Sequence, residues 1–449
     1  MSDALPHDPA LPHLATALDA DAMLRIFEDL LARPVEGCRI DRVKYRPRRN
    51  ASVSYVVALR GADGRTFEQP VGTRWCHGGE SARRHAQALQ RTPQPSAAGP
   101  SWSHRPDLEL CVAWAPNDPS LGALAELLDA ERLRSRWLPE VVAAATGGGA
   151  ALRSHTTTLV QWVPEHRVCA RVDVGFDDGS EIALYAKADT EHPAAVTHAV
   201  LQALHANPRL RTPRPIACQP AAGLYWQEAI DGQPLAALGR EFGMPQAAQV
   251  GELIAALHAT PVPAASNTIT VQGLRQQRHD AARLLATVEP SWQPTLARLT
   301  ATLDRGDAVI GALAPSTLHG DLHRGNLLAT ESGLALIDLD SVQRGPAVIE
   351  LGSWIADSIY LALLDGQAPE TATPQWRELL RAYVGAGGSR ADEAGLAWAT
   401  AQQLLCQRAY RCVANLKPGR FALVPALLRI AETIARERCL DAATLPQAA

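Results

Sequence analysis

His319-Gly320-Asp321-Leu322-His323-Arg324-Gly325-Asn326, followed by Ile337-Asp338-Leu339-Asp340, is the stretch that decides the fold. It sets a carboxylate, an amide and a second carboxylate in a fixed order. Asp321 and Asn326 are five apart, and Asp338 comes seventeen residues after Asp321, at the end of the apolar run Leu334-Ala335-Leu336-Ile337. Thr317-Leu318 and Leu327-Leu328 flank the polar loop as short apolar pieces. Glu331-Ser332-Gly333 then reads as a hairpin turn before the strand that ends at Asp338.

This donor set fits phosphoryl transfer, which needs positioning and charge neutralisation more than covalent help. One carboxylate takes the proton of an attacking hydroxyl. An amide oxygen and a second carboxylate hold Mg²⁺, a hard cation that keeps several waters and needs few protein ligands. Asp321 is therefore the expected base, with Asn326 and Asp338 the expected metal ligands. The spacing matches the catalytic loop H-R-D-L-x-x-x-N of kinases. With Gly320 in place of Arg, the segment resembles the aminoglycoside phosphotransferase and choline kinase group, small-molecule relatives of the protein kinases. The resemblance covers roughly residues 150 to 430. It implies a protein-kinase-like α+β fold with two lobes, an antiparallel β-sheet N-lobe and a mostly helical C-lobe, and ATP (or GTP) with Mg²⁺ as cofactors.

Such a fold calls for a lysine on the third N-lobe strand, contacting the α- and β-phosphates. Lys187 ends the apolar strand Ile182-Ala183-Leu184-Tyr185-Ala186-Lys187 and is the only lysine between Lys44 and Lys417. Val163-Pro164-Glu165-His166-Arg167 stands where a glycine-rich phosphate turn is expected, and Arg167 is a candidate phosphate partner. No glutamate occupies the usual place for pairing with the lysine; Asp189 and Glu191 are the nearby acids. Leu224 to Gly232 resembles the hinge of this family, with backbone groups at Glu228 and Ala229 facing the nucleobase. His319, His323, Arg324, Asp340 and Glu350 are candidate supporting residues. Arg324 could neutralise the transferred phosphate or pair with Asp340, and Glu350 stands where the family has a loop-bracing Asp.

At 449 residues the chain has room for two to three structural units. Its formal charge of −4 gives no reason to invoke nucleic acid or an anionic membrane. No apolar stretch approaches the twenty or so residues that cross a bilayer, and Met1–Pro12 is polar and acidic rather than a secretory signal. The eight cysteines show no C-x-x-C pair, so reduced thiols and a cytoplasmic location are expected.

Three domains are expected: an N-terminal α+β cap over 1–150, an N-lobe with hinge over 151–232, and a helical C-lobe over 233–449. Thr146-Gly147-Gly148-Gly149 marks the first junction. The two strand-rich segments echo each other. Val43-x-Tyr45-x-Pro47 mirrors Val160-x-Trp162-x-Pro164, Asp63-Gly64 mirrors Asp178-Gly179, and Arg74 falls where Lys187 does. The first segment thus reads as a degenerate copy of the N-lobe. Residues 91–105 are expected as a Pro/Ser/Gly-rich linker and 210–219 as a Pro-rich connection. The layout also resembles maltokinase, with its extra N-terminal domain.

From Gln367 to Ala449 there are ten Lys/Arg against seven Asp/Glu, which disfavours a polycationic acceptor. The leading expectation is transfer of the γ-phosphate to a hydroxyl of a small molecule, a sugar or sugar derivative. The alternatives are an aminoglycoside or amino-alcohol (choline-type) kinase, or a pseudokinase acting as a nucleotide- or metabolite-binding regulator. The expected partner is a small-molecule hydroxyl substrate, with neither nucleic acid nor membrane.

Overall fold

Alternating apolar residues and tight turns build two five-stranded antiparallel sheets from the first half of the chain. The computed structural model describes residues 8–263, 266–417 and 419–443; the part of the Met1–Pro12 reading that falls on residues 1–7 lies outside them. The first sheet contains β1 (Gly37–Arg46), β2 (Asn50–Arg60), β3 (Thr66–Trp75), β4 (Trp102–Arg105) and β5 (Leu110–Trp114), in the order β1-β2-β3-β5-β4. The second contains β6 (Leu152–Val163), β7 (Arg167–Phe176), β8 (Glu181–Asp189), β9 (Pro215–Gln219) and β10 (Leu224–Glu228), ordered β6-β7-β8-β10-β9. The topologies are the same. In each, three strands meander, a helix follows, and the fifth strand inserts between the third and the fourth.

The equivalence extends to single residues. Each first hairpin turns through three residues that begin with proline, and the middle residue is left-handed: Arg48 at φ 57° and Glu165 at φ 66°. Arg74 opposes Ser52 and Cys111; Lys187 opposes Cys169 and Tyr225. Counted from the strand starts, the partners match: Ser52 and Cys169 are third in β2 and β7, and Cys111 and Tyr225 second in β5 and β10.

Two short strands were illegible. β4 lies in the expected linker 91–105 and β9 in the expected connection 210–219. Both are edge strands of four or five residues, paired on one side only, where backbone hydrogen bonds rather than side-chain pattern create the strand.

One face of each sheet is buried. The helix Ala20–Leu31 is capped by Asp19, whose carboxylate accepts from the Asp21 and Ala22 amides. It sets Phe27 edge-on to Tyr55 and Trp114, at centroid distances of 5.3 and 5.5 Å. Behind the second sheet, Leu124, Leu127, Leu138 and Val141 pack with Val168, Ala170, Val172, Leu184 and Trp226 in one cluster. The helices that cover this sheet therefore come from residues before 150.

The chain forms two compact units. The first comprises residues 1–195, 216–229 and 414–416, so both sheets, assigned from sequence to domains meeting at residue 150, share one unit. Gly72 on β3 shows why the sheets pack: a Cβ there would lie 2.8 Å from Pro164 and 2.9 Å from Trp162. The second unit comprises residues 196–215, 230–413 and 417–449. It is mostly helical, with two three-stranded sheets carrying the loop that opened the sequence reading. An antiparallel-sheet unit with a mostly helical one is the α+β, kinase-like arrangement expected.

The helix Ala347–Leu364 has a mean hydropathy of 1.5 over 18 residues, long and apolar enough by composition to cross a membrane, but 67% of it is buried within the protein. It is a core helix. None of the eight cysteines forms a disulfide.

Candidate active site

The catalytic segment leaves the strand Pro315–Leu318 and re-enters regular structure at Leu327–Thr330, which pairs with Gly333–Leu336. Between them the polar loop is fixed by its own side chains. His319 is fully buried. Its Nε2 donates to the Ile337 carbonyl at 2.9 Å, and its Nδ1 accepts from the Asp321 amide at 3.4 Å. Gly320 has φ 84°, and a Cβ there would lie 2.2 Å from the Ser341 carbonyl oxygen, so only glycine fits. Asn326 donates from Nδ2 to the Asp321 carbonyl at 3.0 Å. His323 uses its Nδ1 to accept from the Gly325 amide at 3.0 Å.

Glu350 ties this loop to the core helix. Its Oε1 accepts from the Gly320 amide at 3.0 Å, and its Oε2 lies 3.1 Å from His258 Nε2. His258 Nδ1 in turn is 2.9 Å from the Tyr383 hydroxyl. Burial pushes the Glu350 pKa up, but His258 and then His319 and the Gly320 amide outweigh it, and the carboxyl lies below its usual range.

Asp321 is half-buried and meets Arg411, whose Nη2 stands 3.2 Å from its Oδ1. Burial raises its pKa, yet the Arg411 charge, followed by the His323 and His319 rings, brings it below the ordinary carboxylate value. Asp338 sits at φ 58°, ψ 52° and begins the short turn Leu339–Ser341. Aspartate is among the non-glycine residues that most readily adopt this left-handed conformation.

Arg324 is a correction. It does not pair with Asp340. Its guanidinium lies 3.9 Å from the Phe242 ring centroid and 3.4 Å from Gln375 Oε1.

In the first unit, Lys187 is 8% exposed. It opposes Cys169, two residues on from Arg167, so Lys187 and Arg167 share the face of the second sheet opposite the helix-covered core. Glu228 opposes Leu184, a core residue, so its side chain is on the other face and only its backbone is available to that side. The Ala229 amide donates to the Ala183 carbonyl at 2.9 Å. Of the backbone groups expected at the nucleobase, the Ala229 amide is thus engaged within the sheet. Glu191 lies 3.5 Å from His166 rather than pairing with Lys187. Asp189 accepts from the Glu191 and His192 amides at 2.7 and 3.1 Å.

The phosphate-turn segment is clamped by Asp118, which no motif flagged. Its carboxylate accepts from Trp162 Nε1 and the Glu165 amide at 2.9 and 2.8 Å, as well as from the Ser120 and Leu121 amides.

Asp321 opens onto a cavity of about 310 Å³ in the second unit, at the small end of ligand pockets, about 300–1,000 Å³. Its polar wall comes from Gln277, Gln343, Gln403, Gln407, Arg408 and Arg411. Residues Leu404–Ala409 form a π-helical turn inside an otherwise α-helical segment. The extra residue per turn brings Gln403, Gln407, Arg408 and Arg411 to one wall; such turns frequently mark functional sites. Arg408 is fixed by Asp357 at 3.0 Å, and its buried Nε has no partner among the described residues. The available signal was a run of amides and arginines inside an apolar helix, Gln402-Gln403-Leu404-Leu405-Cys406-Gln407-Arg408.

The sequence model of the phosphotransferase enzyme family matches residues 182–394, a span running from β8 past the catalytic loop. A comparison with curated proteins found no match. Among solved structures, the chain is similar to a choline/ethanolamine kinase family protein from Mesorhizobium loti, with 19% identity, 60% of this chain and 89% of that one covered, and a TM-score of 0.43. It is also similar to a macrolide 2′-phosphotransferase from Brachybacterium faecium, with 16% identity, 69% and 98% covered, and a TM-score of 0.40. An aminoglycoside phosphotransferase from Alicyclobacillus acidocaldarius gives 15% identity, 64% and 92% covered, and a TM-score of 0.42.

Proposed function

We propose, for a chain whose residues 182–394 match the model of the phosphotransferase enzyme family, that it transfers the γ-phosphate of ATP to a hydroxyl of a sugar or sugar derivative in the cytoplasm. The family makes it a small-molecule phosphotransferase acting on an alcohol. The observation that carries the acceptor class is the wall of the cavity at Asp321. Four glutamines and two arginines line it, and its only other carboxylate, Glu350, has both oxygens engaged. Glutamine amides suit hydroxyl groups, and the arginines favour neutral or anionic acceptors. An aminoglycoside or choline would bring ammonium groups to a wall without a spare carboxylate.

In this reading Asp321, kept ionised by Arg411, accepts the proton of the acceptor hydroxyl. Lys187 and Arg167 receive the nucleotide's phosphates on their shared sheet face, and the Glu228 and Ala229 carbonyls face the nucleobase. Asn326 Nδ2 is occupied by the Asp321 carbonyl, which leaves Oδ1 as the ligand atom; with Asp338 it would supply the hard-oxygen pair that Mg²⁺ prefers. The bound ion would neutralise charge on the phosphate oxygens. His319, His323 and Glu350 hold the loop, and Asp340 continues the turn that Asp338 opens.

Mg²⁺-dependent ATP consumption across pooled neutral sugars, sugar acids, amino alcohols and aminoglycosides tests the proposal. Turnover with a sugar pool is expected. Turnover confined to aminoglycosides or amino alcohols overturns the acceptor class, and nucleotide binding without turnover in any pool points to a pseudokinase.

A further inference from the structure

The first sheet holds, at the position of Lys187, a residue that the transfer reaction leaves unassigned. Arg74 is as buried as Lys187, at 8% exposed. It opens onto a cavity of about 280 Å³ lined by Arg46, Arg49, Asn50, Arg74, His77, Glu80, Arg84, Glu165 and His166. The geometry repeats that of the second sheet. Arg46 and Arg49 belong to the hairpin turn equivalent to the phosphate-turn segment, Arg74 stands at the lysine position, and Arg84 is on the helix that follows the third strand.

The charges there do not balance. Arg74 grips Glu165 with two nitrogens, at 3.2 and 2.8 Å, and reaches Asn50 at 3.0 Å. Arg84 bonds Glu80 at 2.8 Å and Glu165 at 3.3 Å. Arg46 and Arg49 have no ion-pair partner among the described residues. Lys44 lies beside this group, with Nζ 3.3 Å from His166 Nε2. Burial first, and then Arg46, Arg74 and Arg167, hold Lys44 below the usual lysine value, with Glu191 alone opposing them. Four arginines line one hollow, two of them without a counter-ion among the described residues, a donor set that suits an anion with several oxygens.

We propose that this cavity binds a small polyvalent anion of the phosphate-ester or pyrophosphate class, which takes the place of the Glu165 carboxylate on Arg74 and Arg84. Glu165 is the middle residue of the phosphate-turn segment of the second sheet. Occupancy of the cavity therefore releases that turn from its arginine anchors, leaving the Asp118 clamp and the Thr190 contacts. The first sheet would act as a sensor of phosphorylated metabolites, and this assignment does not rest on the acceptor or the transfer step.

Calorimetric titration of the full chain with sodium pyrophosphate, without Mg²⁺ and with saturating AMP-PNP, tests it. Binding is expected in the wild type and should weaken about tenfold or more in Arg46→Gln/Arg49→Gln. These two side chains make no ion pair, and an unchanged melting temperature shows that the fold survives. Glu165→Gln removes the competing carboxylate and should tighten binding. A phosphate ester and the tail of a second nucleotide share this chemistry. One AMP-PNP site per chain in both proteins identifies a free phosphate compound; two in the wild type and one in the double variant identify a nucleotide. Absence of pyrophosphate binding together with a single AMP-PNP site per chain, or binding lost in Lys187→Met and retained in Arg46→Gln/Arg49→Gln, overturns the proposal.

Discussion

Asp321 has a low pKa because Arg411 and two histidines outweigh its burial, and this has a measurable consequence. A group depressed below its usual value stays ionised until the pH falls through that lowered pKa. With Asp321 as the base, the acid limb of kcat/KM should lie below the ordinary carboxylate range in the wild type. In Arg411→Met the largest opposing charge is gone, and the acid limb should move to higher pH in a pH–rate profile; an unmoved limb would separate Arg411 from the ionisation of Asp321. Asp321→Asn should lower kcat by about 10²–10⁴, the usual worth of a general base, with the Kd for nucleotide unchanged in a binding titration. Asp338→Ala should raise the Mg²⁺ concentration needed for half-maximal rate, and a wild-type metal dependence would remove it as a ligand. The order of these residues was legible because a loop motif keeps its chemistry at fixed spacing. Arg411 was not, since ninety positions separate it from Asp321 and only folding brings the two together.

The helix Ala347–Leu364 and the π-helical turn Leu404–Ala409 matter at the level of elements. The first carries Glu350 to the Gly320 amide and to His258. Glu350→Ala leaves both without an acceptor in a buried place, and should cost about 3 kcal/mol in denaturant unfolding; a loss below 1 kcal/mol would mean the loop is held elsewhere. The sequence indicated that a carboxylate occurs at this distance after the metal strand, but not which atoms it would hold. The helices were legible from their periodicity. The π turn was not, because it adds one residue to a helical ladder without a distinctive composition. It decides which polar side chains reach the cavity, so the acceptor wall could not be read from pattern.

For the whole molecule, the decisive feature is that the second sheet takes its back cover and its turn clamp from residues before 150. A chain beginning at Ala151 loses Leu124, Leu127, Leu138 and Val141 from the core cluster, together with Asp118. It should be insoluble or unfolded by circular dichroism. A chain beginning at Pro116 keeps all of these and should retain more structure; equal folding of both would show that the second sheet stands alone. The Gly147-Gly148-Gly149 run suggested a domain junction, yet glycines there end a helix at φ 73° and 92° without dividing the unit.

The sequence by itself determined the reaction class and the two three-strand meanders β1–β3 and β6–β8, because catalytic loops and hairpins are local: spacing, alternation and turn residues specify them over a few positions. The tertiary structure alone decided what faces Asp321, what anchors Glu165 and where Arg324 points. Those contacts join residues tens of positions apart, and their selection depends on packing and burial, which no short stretch of sequence encodes.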